Sequence, residues 1–158
     1  MAKELYIREM CPGIFLMDEA HEATGYLVVG NEKACVIDTM NGYNDLFRAV
    51  RKLTDKPLIR AFRIRSEEDA LQAQASSADG ILLDAGAGDG KTFDWSRVRA
   101  VTRPYFLAGG LNPENVARAV RELKPYAVDV SSGIETDGFK DIVKMRAFVR
   151  AVRMENET

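Results

Sequence analysis

Two rhythms of apolar and polar positions divide the chain. Over residues 5–39, short apolar runs follow one another with little between them: LYIRE (5–9), GIFLMD (13–18), TGYLVVG (24–30) and ACVIDT (34–39). CPG and GNEK interrupt these runs as turns do, so the stretch predicts an antiparallel β meander. One helix follows from about Asn44 to Thr54, with Leu46, Val50 and Leu53 recurring on one face.

From Pro57 the rhythm becomes strand, loop, helix, repeated four times. The predicted strands are LIRAFRI (58–64), GILLDA (80–85), YFLAGG (105–110) and AVDVSSG (127–133), and the predicted helices cover about 66–76, 96–101, 113–124 and 138–152. Ser66 is placed to cap the first helix, with Asp69 three residues on as a variant of the capping box. Asn112 is placed to cap the third, with Pro113 at the first helical position. Short apolar strands alternating with amphipathic helices predict a parallel sheet covered by helices. Four such units in succession predict a (β/α)-barrel or half of one. The expected fold class is therefore α/β: a half (β/α)8 TIM barrel over residues 58–158, preceded by a β meander and one helix over residues 1–57. No low-complexity linker marks the change of rhythm near Asp55–Pro57.

Composition narrows the class. A chain of 158 residues fits one domain, or two pieces too small to be comfortable alone. With 46% apolar and 29% charged residues it reads as soluble and globular. A net charge of −2, with Lys and Arg spread along helical stretches, argues against a nucleic-acid partner. No apolar run approaches the ~18–20 residues of a spanning helix. The opening MAKELYIREM has no signal-peptide core. No membrane association and a cytoplasmic setting are expected.

Cys11 and Cys35 lie far apart without a CxxC motif, which suits a reduced compartment. Cys35, inside an apolar run, is expected to be a small buried core residue, and Cys11, before Pro12 and Gly13, a turn residue. His21 is the only histidine, so a histidine-rich zinc site is excluded by count. In DEAHEATG it reads as a loop residue rather than a ligand.

In a (β/α)-barrel the chemistry sits where strands end. Asp84 ends the second strand of the series, Gly109 and Gly110 the third, and Ser131, Ser132 and Gly133 the fourth. Asp84 has two readings: an acceptor for backbone N–H groups of its own loop, or a general acid or base facing the barrel mouth. The glycines also have two: they let strand turn into helix, or their exposed N–H groups cradle a phosphate, helped by a neighbouring helix N-terminus.

LIRAFRI, ILLDA, GDGKTFDW, FLAGGLNPENV, PYAVDVSSGIETDGFKD and KMRAFVRAVR resemble the C-terminal half of the phosphoribosylanthranilate isomerase family, over about residues 58–153. The resemblance implies an Amadori rearrangement of a phosphoribosyl amine in tryptophan biosynthesis, with a phosphorylated small-molecule ligand and neither cofactor nor metal. It implies that Asp84 is the general acid that protonates the furanose ring oxygen. It assigns phosphate to the backbone of Gly109, Gly110, Ser131, Ser132 and Gly133. Asp129 is implied as an active-site neighbour, its other reading being a hydrogen-bonded strand-end carboxylate.

The family's general base is a cysteine in a KICG motif on the first strand. The chain has no such motif, and the surroundings of Cys11 and Cys35 do not match it. The arginine that holds the anthranilate carboxylate belongs to the same half. Weak turnover is the expectation, and a non-catalytic fusion or chimera with weak phosphate binding and a structural role is the alternative.

Residues 5–57 resemble the start of the metallo-β-lactamase fold, on the strand pattern and the VIDT strand end. The chain leaves that pattern at KPLI, before an HxHxDH motif, so Asp38 would have no metal to serve. A half-barrel exposes two sheet edges and an apolar face. A homodimer completing the barrel is therefore expected; cover by the N-terminal strands or a molten half are the alternatives.

Overall fold

The computed structural model describes residues 4–84 and 95–156. The chain forms two compact units, Met1–Leu58 and Ile59–Thr158. Among the described residues no helix is long and apolar enough to cross a membrane.

In the first unit, β1 (Leu5–Cys11), β2 (Ile14–Glu19), β3 (Ala23–Val29) and β4 (Ala34–Ile37) pair with their sequence neighbours, all antiparallel. Alternation along the strands turns Met17 and Leu27 inward, where Val50 of α1 (Leu46–Arg51) closes a small core against them. Leu46 and Leu53 flank that core, as the helical spacing predicted.

The same alternation overturns the expectation for Cys35. Ala34 and Val36 of β4 face in, so Cys35 and Ile37, which alternate with them, are exposed. Cys11 is the last residue of β1 rather than part of the turn, and it too is exposed; both thiols are free. His21 lies in the β2–β3 turn, where Ala20 and His21 both have positive φ and Asp18 accepts the His21 backbone N–H at 2.7 Å.

Glu19 is 1% exposed. Its carboxylate accepts the backbone N–H groups of Asn41 (3.0 Å) and Asn44 (2.8 Å) and the Asn44 side-chain amide (3.0 Å). Burial pushes its pKa up, but these bonds outweigh burial and hold the carboxyl below its ordinary range. A buried carboxylate is tolerated here because its lone pairs are filled.

In the second unit, β5 (Ile59–Arg63), β6 (Gly80–Asp84), β7 (Phe106–Ala108) and β8 (Ala127–Val128) form one parallel sheet in sequence order. Helix α2 (Glu67–Gln74) connects β5 to β6, and α3 (Val116–Leu123) connects β7 to β8. Ser66 and Asp69 form the predicted capping box at α2. Ile81, Leu83 and Leu107 of the strands pack with Ala70 and Ala73 of α2 and Val116 and Ala119 of α3.

Three predicted helices change. The stretch at 96–101 is a single 3₁₀ turn, Trp95–Val98; its three-residue spacing buries both end residues, and the Arg118 guanidinium stacks on the Trp95 ring at 4.3 Å. Helix α3 starts at Val116, three residues later than predicted, with Asn115 as its N-cap. Asn112 instead organises the preceding turn, its side-chain oxygen accepting the N–H groups of Glu114 and Asn115, both at 3.0 Å. The predicted strand 127–133 ends at Val128 and is followed by a 3₁₀ turn, Ser132–Ile134.

The helix predicted from residue 138 is preceded by a hairpin, β9 (Glu135–Thr136) and β10 (Phe139–Lys140), before α4 (Ile142–Asn156) begins. Asp137 and Gly138, both at positive φ, make its two-residue turn.

Candidate active site

The site grows from the C-terminal ends of three adjacent strands. Asp84 is the last residue of β6 and stands in register with Ala108, the last of β7. Leu107 is in register with Val128, and the Asp129 N–H donates to the Leu107 carbonyl at 2.8 Å. Strands lie about 4.8 Å apart, so Asp84 and Asp129 are separated by roughly 10 Å across β7. Ile81 and Leu83 of β6 pack toward the helices, and alternation places Asp84 on the opposite face of the sheet.

Past β7 the chain turns through Gly109 (φ 92°) and Gly110 (φ 65°), a pair of backbone conformations that favour glycine. Asn115 fastens this loop from two sides. Its amide donates to the Gly110 carbonyl at 2.9 Å, and its side-chain oxygen accepts the Asn112 N–H at 2.9 Å. The loop after β8 leans directly on it: a Cβ on Gly133 would stand 1.8 Å from the Leu111 carbonyl oxygen. No side chain fits there, so the two loops touch through bare backbone.

Between them lies a cavity of about 190 Å³, lined by Asp84, Ala108, Gly109, Gly110, Leu111, Asp129, Val130, Ser131, Ser132 and Gly133. Every site residue singled out from the sequence is among these. At about 30 Å³ per water, such a volume has room for a group the size of a phosphate, with its five non-hydrogen atoms. Glycine-containing backbone on two sides can offer N–H donors to an anion, and a carboxyl group at the end of β6 can offer proton transfer beside it. A larger groove of about 580 Å³ follows one face of α4, but it opens on a single helix and holds none of these groups. The GDGKTFDW motif, apart from Trp95, lies outside the described residues.

Lys140 is a residue that the sequence reading missed. Its ammonium donates to the Ser131 carbonyl (2.9 Å), the Ser131 hydroxyl (3.2 Å) and Glu135 (2.6 Å), fastening the β9–β10 hairpin to the loop that lines the cavity. The Asp137–Gly138 dipeptide, a hairpin signal, would have located it.

A family model described as N-(5'phosphoribosyl)anthranilate (PRA) isomerase matches residues 42–151, well over half the chain. The N-(5'-phosphoribosyl)anthranilate isomerase of Streptococcus gordonii is 36% identical over 144 residues, an alignment taking in 89% of this chain and 70% of that one. That of Streptococcus mutans is 40% identical over 124 residues, 77% of this chain and 63% of the relative. Among solved structures, the phosphoribosyl anthranilate isomerase of Thermotoga maritima superposes with a TM-score of 0.59 at 36% identity, covering 70% of this chain and 57% of that one. The chain thus spans between about half and 70% of the length of the isomerases it matches.

These matches move the expected boundary of the resemblance. The family match starts at residue 42, so it includes α1, and an alignment over 89% of the chain runs on into the N-terminal strands. The metallo-β-lactamase resemblance expected for residues 5–57 finds no support in them, since the isomerase similarity occupies that ground. From α1 through the three strand ends that build the cavity, the chain belongs to the N-(5'-phosphoribosyl)anthranilate isomerase family.

Proposed function

We propose that the chain carries out the isomerisation of a phosphoribosyl anthranilate in tryptophan biosynthesis, with Asp84 as general acid and the backbone of Gly109, Gly110 and Ser131–Gly133 as the phosphate cradle. The observation that carries this reading is the single cavity shared by a strand-end carboxyl group and two glycine-containing loops. A solved isomerase, 36% identical, is a complex with reduced 1-(o-carboxyphenylamino)-1-deoxyribulose 5-phosphate, a ligand that carries the phosphate such a cradle would take. The same reading takes β5–β8 as four consecutive strands of a (β/α)8 barrel, supported by their parallel order and the helices between them.

Chemically, Asp84 would give its proton to the furanose ring oxygen as the anilinic nitrogen lone pair drives out that oxygen and the C1–O bond breaks. Loss of the C2 proton then leads to the ketose, a separate step for which this reading assigns no residue. Asp129, across β7, would border the sugar rather than the phosphate.

Expression in a tryptophan auxotroph lacking the isomerase should restore growth. Asp84→Asn should remove it, since a general acid contributes about 10²–10⁴-fold. Growth undiminished by Asp84→Asn overturns the assignment of the acid. No growth with the unaltered chain, when it is expressed and folded, overturns turnover itself.

A further inference from the structure

Ser131 lines the cavity, and its hydroxyl is held by a lysine. Lys140 Nζ stands 3.2 Å from Ser131 Oγ, 2.9 Å from the Ser131 carbonyl oxygen and 2.6 Å from Glu135 Oε1. An ammonium group has three donors and no acceptor. In its bond with Lys140, therefore, the serine oxygen accepts. The hydroxyl's one proton is left to be donated elsewhere, and Ser131 lines the cavity. We infer that Lys140 is a positioning residue of the anion site: it fixes the polarity of the Ser131 hydroxyl, so that Ser131 meets a phosphate as a donor.

This rests on the phosphate reading above and adds a residue to it. A phosphate at neutral pH presents acceptor oxygens almost exclusively, so a hydroxyl that turned a lone pair toward it would repel it. Without the lysine, nothing on that side holds the serine oxygen as an acceptor, and its proton can swing toward the place Nζ now fills instead of toward the anion.

Two features argue for orientation rather than for bare charge. Glu135 shares the ammonium at 2.6 Å and offsets its charge. The pair is also partly solvent-exposed, with 48% of the Lys140 and 27% of the Glu135 side chain accessible, and such pairs add little to stability. What remains specific is the location of Nζ. Lys140 and Glu135 are paired across the hairpin, and Lys144 ties the strand by donating to the Glu135 carbonyl at 2.6 Å.

The test is a titration of the full ¹⁵N-labelled chain with inorganic phosphate, following its amide shifts, for the unaltered protein, Lys140→Met, Lys140→Arg, Ser131→Ala and the double variant Ser131→Ala/Lys140→Met. Lys140→Met and Ser131→Ala should each weaken phosphate binding about tenfold, the loss of one ordinary hydrogen bond. Lys140→Arg should restore most of it. The double variant should bind no more weakly than Ser131→Ala alone, because the lysine acts through that hydroxyl. A thermal melt without phosphate reads the folding of each variant, and Lys140→Leu, which likewise has no donor, replaces Lys140→Met should the latter unfold. Unchanged affinity in the lysine variant overturns the inference. So do additive losses in the double variant, which would mean that the charge acts on the anion directly. An unaltered protein without any phosphate-dependent shift removes the phosphate reading first, and this one with it.

Discussion

At the scale of single residues, two of the three glycines that line the cavity should behave differently. A Cβ on Gly133 would meet the Leu111 carbonyl oxygen at 1.8 Å, whereas Gly110, at φ 65°, has open space where its Cβ would be. Gly133→Ala must force the two loops apart and should cost about 1–3 kcal/mol along with phosphate binding. Gly110→Ala meets only the left-handed backbone penalty of about 1 kcal/mol, with the loop contact kept. Thermal melts and phosphate titration of both variants check the contrast, and equal losses would contradict the contact as described. Asp84 and the loop glycines could be singled out in the sequence because they stand where apolar strands end, whereas Asp129 was pointed to by the family resemblance alone. Glu19 and Lys140 were not legible. The meaning of Glu19 lies in Asn41 and Asn44, more than twenty residues away, and that of Lys140 in a hairpin turn read as the start of a helix.

At the scale of elements, the clearest agreement between sequence and structure is the start of α2. The Ser66 hydroxyl accepts the Asp69 N–H at 3.3 Å, while the Asp69 carboxylate accepts the N–H groups of Arg65 (2.8 Å) and Ser66 (2.9 Å). Ser66→Ala should therefore destabilise the chain by about 1 kcal/mol, read as a lower melting midpoint, with its far-UV spectrum retained. Caps of this kind are legible because their partners are three residues apart. The 3₁₀ turn at Trp95–Val98 was less so, since two buried residues three apart suit either kind of helix. The late start of α3 follows from Asn112, whose cap-like bonds close a turn in front of the helix.

At the scale of the molecule, each compact unit holds carboxylates whose pKa lies below the ordinary range. In the first it is Glu19, where hydrogen bonds outweigh the effect of burial. In the second they are Asp69, held down chiefly by the Arg65 N–H, and Asp141, held down chiefly by the Thr136 hydroxyl. A lowered native pKa means that the unfolded chain takes up protons first as the pH falls. The stabilisation is thus complete above about pH 5 and is lost as the pH drops through and below ~4. Melting midpoints should be flat from pH 7 to 5 and fall from pH 5 to 3. A midpoint that rises in that lower window contradicts the assignment. The change of rhythm near residue 57 signalled a change of architecture from meander to parallel sheet. It did not locate the start of the family match, because α1, which belongs to that match, packs on the meander in the first unit.

The contact of Gly133 with Leu111 also bears on how the site can be inherited or transplanted. Two loops that meet through bare backbone have no side chain between them to absorb a change in length or course. Residues 109–112 and 131–133 therefore form one heritable unit despite their separation in sequence. A graft of this cavity onto another scaffold has to carry both loops, together with the hairpin that holds the second.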